Sequence, residues 1–186
     1  KTFKKKKKFI FFKKKKKIDF KSRLFNKNLG GGCILDLGCY TTSFSLLICS
    51  LLVEINTKNI NIKNINREIG VSGVDVHSNA ELEFTNGFKS KVYASFKENI
   101  GGKSIINGER GSLLLSDTWF GNKSIIKTIG QKKKEISFKS YKNIYSHQIE
   151  DISKNLLNGI KNSTFPVCGI DESILNSKIL HGWLND

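Results

Sequence analysis

The sequence predicts an α+β fold, in which helices pack on one face of a large, mostly antiparallel sheet. A proline-free apolar run over residues 34–55 is typical of a buried helix. Alternating apolar residues over 74–96 flank Asn86-Gly87 and predict a β-hairpin. Apolar residues at four-residue steps near the end of the chain predict two further helices. A helix, a series of strands and then helices is the order of an α+β domain.

The charge is distributed unevenly along the 186 residues. The net charge is +16, and residues 1–17 hold eleven lysines and no acid, so the rest of the chain carries +5. We therefore divide the chain into a lysine-rich, low-complexity tail, residues 1–19, and a folded domain, residues 20–186. Lysines and aromatic residues in the tail could bind nucleic acid, whereas homopolymeric lysine is more often simply solvated. The apolar residues 9–12 are too few for a signal peptide.

The four cysteines, at positions 33, 39, 49 and 168, form no C-x-x-C pair and accompany no histidine cluster with the spacing of zinc ligands. The sequence predicts no metal site. Reduced thiols indicate a cytoplasmic protein. Cys39 stands beside Tyr40, but no neighbouring residue suggests a base that would activate its thiol.

The first predicted helix, residues 34–55, is long enough to raise the alternative of a membrane span. Asp36 near one end, Glu54 near the other and interruptions by Gly and Ser favour a buried helix of a globular domain. A loop and strand over residues 56–67 would lead away from it.

The later elements follow from their periodicity and turns. Strands over 103–115 turn at Gly108 and Gly111, and strands over 124–129 and 135–138 flank a polar turn at 130–134. A helical stripe runs from Ile144 until Gly159, and Asp171 and Glu172 open the last helix.

The candidate site lies where Gly30-Gly31-Gly32 precedes the first helix. Asp36 and Tyr40 are four residues apart, which stacks two side chains on one helix face. A tyrosine can act as general acid or base, and an aspartate beside it can orient a substrate hydroxyl. Gly31 and Gly32 would let the backbone approach a flat cofactor. By itself this pattern also fits an ordinary glycine loop before a helix.

A longer stretch strengthens the hypothesis. Residues 22–26, Ser-Arg-Leu-Phe-Asn, and 29–40, Leu-Gly-Gly-Gly-Cys-Ile-Leu-Asp-Leu-Gly-Cys-Tyr, resemble the opening of the C-terminal domain of the glucose-fructose oxidoreductase, inositol dehydrogenase and MocA (Gfo/Idh/MocA) family, in its dihydrodiol and sugar dehydrogenase branch. The resemblance covers roughly residues 20–186. It implies that Tyr40 exchanges the proton and Asp36 orients the hydroxyl of a sugar, polyol or dihydrodiol in an NAD- or NADP-dependent oxidation. Arg23 would bind a substrate oxygen or pair with a surface acid.

The same resemblance implies a homo-oligomer formed through the open sheet face, with a small carbohydrate or polyol as ligand and neither nucleic acid nor membrane as partner. The sequence contains neither a G-x-G-x-x-G turn nor the family's Glu-Lys-Pro. We therefore interpret the chain as a fragment that holds the substrate-binding half without the cofactor domain. The alternatives are a non-catalytic dimerisation module and, through the lysine tail, a nucleic-acid binder.

Overall fold

The structure is a computed structural model that describes residues 19–52, 60–85, 87–121, 124–139, 143–161 and 168–185. Two short 3₁₀ turns, Arg23–Phe25 and Lys27–Leu29, lead through the glycine loop into a π-helical turn, Ile34–Gly38. The helices and strands that follow are α1 (Cys39–Ser50), β1 (Ile60–Ile69), β2 (Asp75–Phe84), β3 (Lys89–Ser95), β4 (Ser104–Gly108), β5 (Gly111–Leu115), β6 (Ser124–Ile129), β7 (Lys132–Ser137), α2 (Ile144–Leu157) and α3 (Ile170–Asn185). The predicted α+β class is confirmed.

Strands β1, β2 and β3 form an antiparallel sheet with β2 in the middle. Along β2, Ser78, Ala80, Leu82 and Phe84 are buried while the residues between them are partly exposed, because successive side chains of a strand point to opposite faces. The alternation therefore predicted the hairpin correctly. Asn86 of its predicted turn lies outside the described residues.

The π-helical turn, α1 and α3 pack on one face of this sheet and enclose the core. Trp183 of α3 is fully buried, and its Nε1–H donates to Oγ of Ser78, 2.9 Å away. Gly38 makes room for the indole, because a Cβ at position 38 would lie 2.8 Å from Cζ3 of Trp183. The last helix is thereby fixed against both the sheet and the start of the first helix.

Strands β4 to β7 form a second antiparallel sheet, so the predicted strands are divided between two sheets in the described residues. The predicted five-residue turn at 130–134 is wrong. Ile129 pairs with Lys132, which leaves only Gly130 and Gln131 in the turn. Gly130 has φ +55°, a value that such tight turns require. The lysines after it belong to the exposed edge strand β7, where charge discourages pairing with other chains.

The first helix ends at Ser50 rather than at residue 55, and residues 53–59 lie outside the described part. The stretch Lys27–Ser50 has the length and composition of a membrane span, with 44% of its most apolar window buried. This is weak evidence for a span, because the core helix of a folded domain passes the same test. Here Thr42, Leu46 and Cys49 are buried within the domain.

The two last helices occur where their periodicity predicted them. Asn143 caps α2, since its Oδ1 accepts from the backbone N–H of Ser146 at 3.0 Å. The apolar stripe of α2 is largely exposed, as Leu156 illustrates at 70%. Asp171 and Glu172 lie in the first turn of α3, where the helix dipole favours acids.

Candidate active site

Two backbone hydrogen bonds hold the segment of Arg23 against the glycine loop. The N–H of Gly31 donates to the carbonyl of Asn26 and the N–H of Gly32 donates to the carbonyl of Leu24, each over 2.9 Å. Ser22 caps the turn by accepting from the N–H of Leu24 at 3.3 Å. Arg23 is therefore fixed at its backbone close to the start of the first helix.

Gly31 and Gly32 are buried, and the space that a side chain would need is filled by the chain itself. A Cβ on Gly31 would lie 2.7 Å from the carbonyl oxygen of Leu24. Gly32 has φ +117°, and a Cβ there would lie 2.2 Å from Oδ1 of Asp75. These contacts explain the glycines without a ligand. The role of Gly31 and Gly32 in binding a cofactor stays a prediction, and their packing against Leu24 and Asp75 does not support it.

Asp36 and Arg23 meet at the surface beside this loop. Nη2 of Arg23 donates to Oδ1 of Asp36 over 2.7 Å, with the two side chains 58% and 24% exposed. Of the two roles considered for Arg23, the structure has the pairing with an acid, and the acid is Asp36. Asp36 lies in the π-helical turn, a distortion found frequently at functional sites. The pair can present both a cation and a carboxylate to a polar solute.

Tyr40 lies in the first turn of α1 and is 61% exposed. Its ring centroid is 6.5 Å from that of Trp119, which follows β5, and the two planes are tilted by 56°. The Trp119 ring also makes an edge contact with Phe44, with centroids 6.1 Å apart. The phenol thus lies at the surface beside the ring of Trp119, which in turn contacts Phe44.

The sequence reasoning missed Trp119 and Asp75. Nothing in the spacing of the chain links Trp119 to Tyr40, and only its residue type could have drawn attention to it. Asp75 is 3% exposed, and its Oδ2 accepts from the N–H of Ile34 at 2.7 Å. Its one signal in the sequence was a carboxylate at the start of an apolar strand.

The cysteines near the site are not activated. Burial, with a smaller contribution from the Asp36 carboxylate, raises the pKa of the Cys39 thiol. Burial and the neighbouring Asp75 raise the pKa of Cys33 as well. A thiol with a raised pKa is a poor nucleophile at neutral pH. Within the described ranges, no three His, Cys, Asp or Glu residues are grouped as metal ligands would be.

A nicotinamide nucleotide does not fit the described residues. Its pyrophosphate needs a glycine-rich turn with open backbone N–H groups at a helix N-terminus. Here the N–H groups of Gly31 and Gly32 are bonded to Asn26 and Leu24, and the N–H of Ile34 is bonded to Asp75. These three N–H groups are therefore not open to a phosphate.

The sequence of the chain is similar to a known family of protein domains. Residues 9–114, more than half of the chain, match the family model of the GFO/IDH/MocA C-terminal domain. Over 165 residues the chain is 23% identical to trans-1,2-dihydrobenzene-1,2-diol dehydrogenase from Xenopus tropicalis, covering 85% of this chain and 47% of that protein.

Two of the solved structures that share the fold illustrate the similarity. The aldose-aldose oxidoreductase from Caulobacter crescentus, complexed with glycerol, is 20% identical with a TM-score of 0.70, over 89% of this chain and 48% of that one. The 3-ketoreductase KijD10 from Actinomadura kijaniata, in complex with NADP and TDP-benzene, is 13% identical with a TM-score of 0.71, over 87% and 48%. The chain spans about half the length of these relatives. It belongs to the Gfo/Idh/MocA family and corresponds to the C-terminal domain of its oxidoreductases.

Proposed function

We propose that the chain forms the substrate-binding half of an NAD- or NADP-dependent oxidoreductase that acts on a CH–OH group of a sugar, polyol or dihydrodiol. The observation that carries the proposal is the Arg23–Asp36 pair one helical turn before the exposed phenol of Tyr40. The names of the relatives, a dihydrodiol dehydrogenase, an aldose oxidoreductase and a ketoreductase, support this class of substrate.

In this proposal the side chains divide the work by their chemistry. The Tyr40 hydroxyl takes the proton from, or returns it to, the reacting substrate oxygen. The Asp36 carboxylate accepts a hydrogen bond from a neighbouring substrate hydroxyl, and Arg23 fixes its orientation by holding Oδ1. Trp119 offers a flat apolar surface against the C–H faces of the ligand.

The nicotinamide nucleotide, which would exchange hydride with the substrate, has no fitting site in the described residues. We therefore assign its binding to the part of the relatives' length that this chain does not cover. Joined to such a half, the chain would contribute Asp36 and Tyr40, and without it we expect ligand binding but no turnover.

A titration of the full chain with trans-1,2-dihydrobenzene-1,2-diol, glucose and glycerol tests the proposal. Isotope-labelled protein would be followed by NMR, with signals of Arg23, Tyr40 and Trp119 as reporters and Tyr93 on the sheet as the matched aromatic control. We expect at least one diol to shift the three reporters with a dissociation constant on the order of millimolar, and Tyr93 to stay unchanged. Shifts that are absent or spread evenly over the surface would refute the proposal.

We further propose that the chain forms a homo-oligomer, using an open face of the second sheet. The register brings Ile125, Ile129 and Ile136 to one face, where the latter two are exposed. Lys127, Lys132 and Lys134 share this face with the isoleucines. The open face of the first sheet is charged as well, with Glu83 bound by Lys63 and Lys89. Stable dimer interfaces are the more apolar ones. This is also the feature that favours the alternative function, a non-catalytic dimerisation module.

Sedimentation of wild type, Ile129→Lys and the control Ile105→Lys, which alters the opposite face, tests the assembly. We expect the wild type to be a dimer. Ile129→Lys should dissociate this dimer, and Ile105→Lys should not. A monomer at all concentrations would contradict it.

We also propose a reducing compartment, the cytoplasm, as the location of the protein. In the described residues none of the four cysteines forms a disulfide bond, and Cys33 and Cys49 are buried. To test this, cells would be lysed in an alkylating agent and the thiols that react with it would be identified. A Cys168 thiol that does not react in a fresh extract would already be oxidised, which would argue against a reducing compartment.

A further inference from the structure

We propose that Asp75 is a positioning residue of the active site, because it holds the N-terminal end of the helix that carries Asp36 and Tyr40. The inference rests on the proposed function of those two residues. Asp75 itself is buried and lies at the start of β2, so it would act through the helix and not on the substrate.

The carboxylate of Asp75 supplies a cap that the helix lacks. The first N–H groups of a helix have no partner within it, and here Cys33, which precedes the π-helical turn, provides no side-chain cap. Oδ2 of Asp75 accepts from the N–H of Ile34 over 2.7 Å, from a different element of the fold. The helix dipole also favours a negative charge at this end of the helix.

Gly32 is the counterpart of Asp75. Its φ of +117° and the 2.2 Å between its absent Cβ and Oδ1 of Asp75 mean that the carboxylate occupies the space of a side chain. The N–H of the same glycine bonds to Leu24, and its carbonyl accepts from the N–H of Asp36 at 3.2 Å. The segment of Arg23, the backbone of Asp36 and the Asp75 carboxylate therefore converge on one residue.

This convergence makes the site depend on Asp75. Arg23 and Asp36 belong to two segments whose relative position is set at Gly32, and their side chains meet over only 2.7 Å. Tyr40 follows within the same continuous helix and touches Trp119 from another part of the chain. Release of Ile34 from Asp75 would loosen the first turn and with it both contacts.

The test uses the full chain with Asp75→Ala, which removes the acceptor, and Asp75→Asn, which keeps an oxygen. The matched control is Ser90→Ala, since the hydroxyl of Ser90 lies 2.7 Å from that of Ser45 and links the same helix to the sheet farther along. Amide hydrogen exchange of Ile34 and Asp36 reports the helix end. Iodide quenching reports Trp119, because Trp183 is fully buried.

We expect Asp75→Ala to accelerate exchange at Ile34 by about 10- to 100-fold, because the N–H of Ile34 loses a hydrogen bond to a charged acceptor. The same substitution should increase quenching of Trp119. Asp75→Asn should restore part of both, and Ser90→Ala should change neither. Unaltered exchange at Ile34 in Asp75→Ala overturns the inference. If Asp75→Ala does not fold, Asp75→Asn decides: its uncharged oxygen is a weaker acceptor and should still accelerate exchange at Ile34 several-fold, and exchange identical to wild type overturns the inference equally.

Turnover separates this inference from the proposed function. In a longer protein that joins the chain to a nicotinamide-binding half, Asp75→Ala should lower kcat at least about tenfold while Ser90→Ala does not. Full turnover of Tyr40→Phe would overturn the proposed function and leave the exchange result standing. Wild-type kcat in Asp75→Ala, with Tyr40→Phe inactive, would overturn the positioning role alone.

Discussion

Nη2 of Arg23 lies 2.7 Å from Oδ1 of Asp36, although the two residues are thirteen positions apart in the chain. The intervening glycine loop folds back so that the arginine segment stands beside the first helical turn. Because Asp36 retains accessible surface and a second oxygen, the pair can engage a polar ligand without first being broken. This relationship joins the residues that we assign to substrate binding.

Replacement of Arg23 by Gln should weaken substrate binding with little effect on folding. Asp36 would lose a charge-assisted partner, and we expect KM of the joined protein to rise about tenfold. The free energy of unfolding should change by about 0.2–1 kcal/mol, since the pair is exposed. Steady-state kinetics and urea unfolding measure the two effects. Arg67→Gln, an exposed arginine of β1, is the control, and an equal rise in KM there would contradict a specific role.

Gly38→Ala should destabilise the domain although alanine favours helices. A Cβ at position 38 would lie 2.8 Å from the ring of buried Trp183, and overpacking of this kind costs about 1–3 kcal/mol. Gly108→Ala is the control, because its Cβ would come no nearer than 3.8 Å to the carbonyl of Gly111. Thermal melting of both variants decides the point. A Gly38→Ala protein as stable as wild type would mean that Trp183 does not occupy this place.

The strands of this fold were predictable where the local alternation of apolar and polar residues alone indicates a strand. Ser78, Ala80, Leu82 and Phe84 alternate with polar residues, and their burial follows from that period. The lysines of β7 misled the prediction, because an exposed edge strand has the same polar composition as a turn. Local sequence therefore decides β2 but not the limits of β7.

The site was predictable only in part. Asp36 and Tyr40 share one helix, so their spacing in the sequence already places them together. Trp119 and Asp75 reach the same helix through tertiary contacts, and no local pattern records such contacts. The buried state of Gly31 and Gly32 likewise depends on Leu24 and Asp75, so the sequence could not distinguish a packing role from a ligand role.

The domain should lose stability in acid partly through Glu83. Hydrogen bonds from Lys63 and Lys89 lower the pKa of Glu83 from its ordinary value to about 2. A lowered folded-state pKa contributes stability above the unfolded-state value, near pH 4–5, and that contribution disappears as the pH falls towards 2. Melting temperatures measured from pH 6 to pH 2 should therefore fall less steeply for Glu83→Gln. An identical slope would contradict the assignment, and Glu109→Gln, in the exposed β4–β5 turn, is the control.

The chain by itself should bind NADH or NADPH only weakly. Three backbone N–H groups at the helix entrance, those of Gly31, Gly32 and Ile34, are bonded to Asn26, Leu24 and Asp75 and are not open to a pyrophosphate. A fluorescence titration should show no saturation below about 1 mM, the range of contacts without a built site. KijD10, whose structure contains NADP, is the positive control. Micromolar affinity of this chain would mean that a nucleotide site exists and that the glycine loop opens.

Tyr40→Phe should abolish most of the turnover of the joined protein. The substitution keeps the ring and its contact with Trp119 but removes the hydroxyl that we assign to proton exchange. Loss of a positioned acid–base group lowers kcat by roughly 10²- to 10⁴-fold. The melting temperature should stay nearly constant, because the phenol is mostly exposed. Tyr93→Phe, on the open face of β3, is the matched control and should retain full activity.

Two neighbours of Tyr40 make the result specific. Asp36→Asn should lower kcat as well, because the amide binds Arg23 less strongly and orients a substrate hydroxyl less firmly. Cys39→Ser should be mild, since burial raises the pKa of that thiol and its Sγ–H only donates to the carbonyl of Asp36. Rapid-quench measurement of one turnover separates chemistry from product release. Near-full turnover in Tyr40→Phe with loss in Cys39→Ser would make the tyrosine assignment wrong and leave Asp36 and Tyr40 as structural residues of the helix.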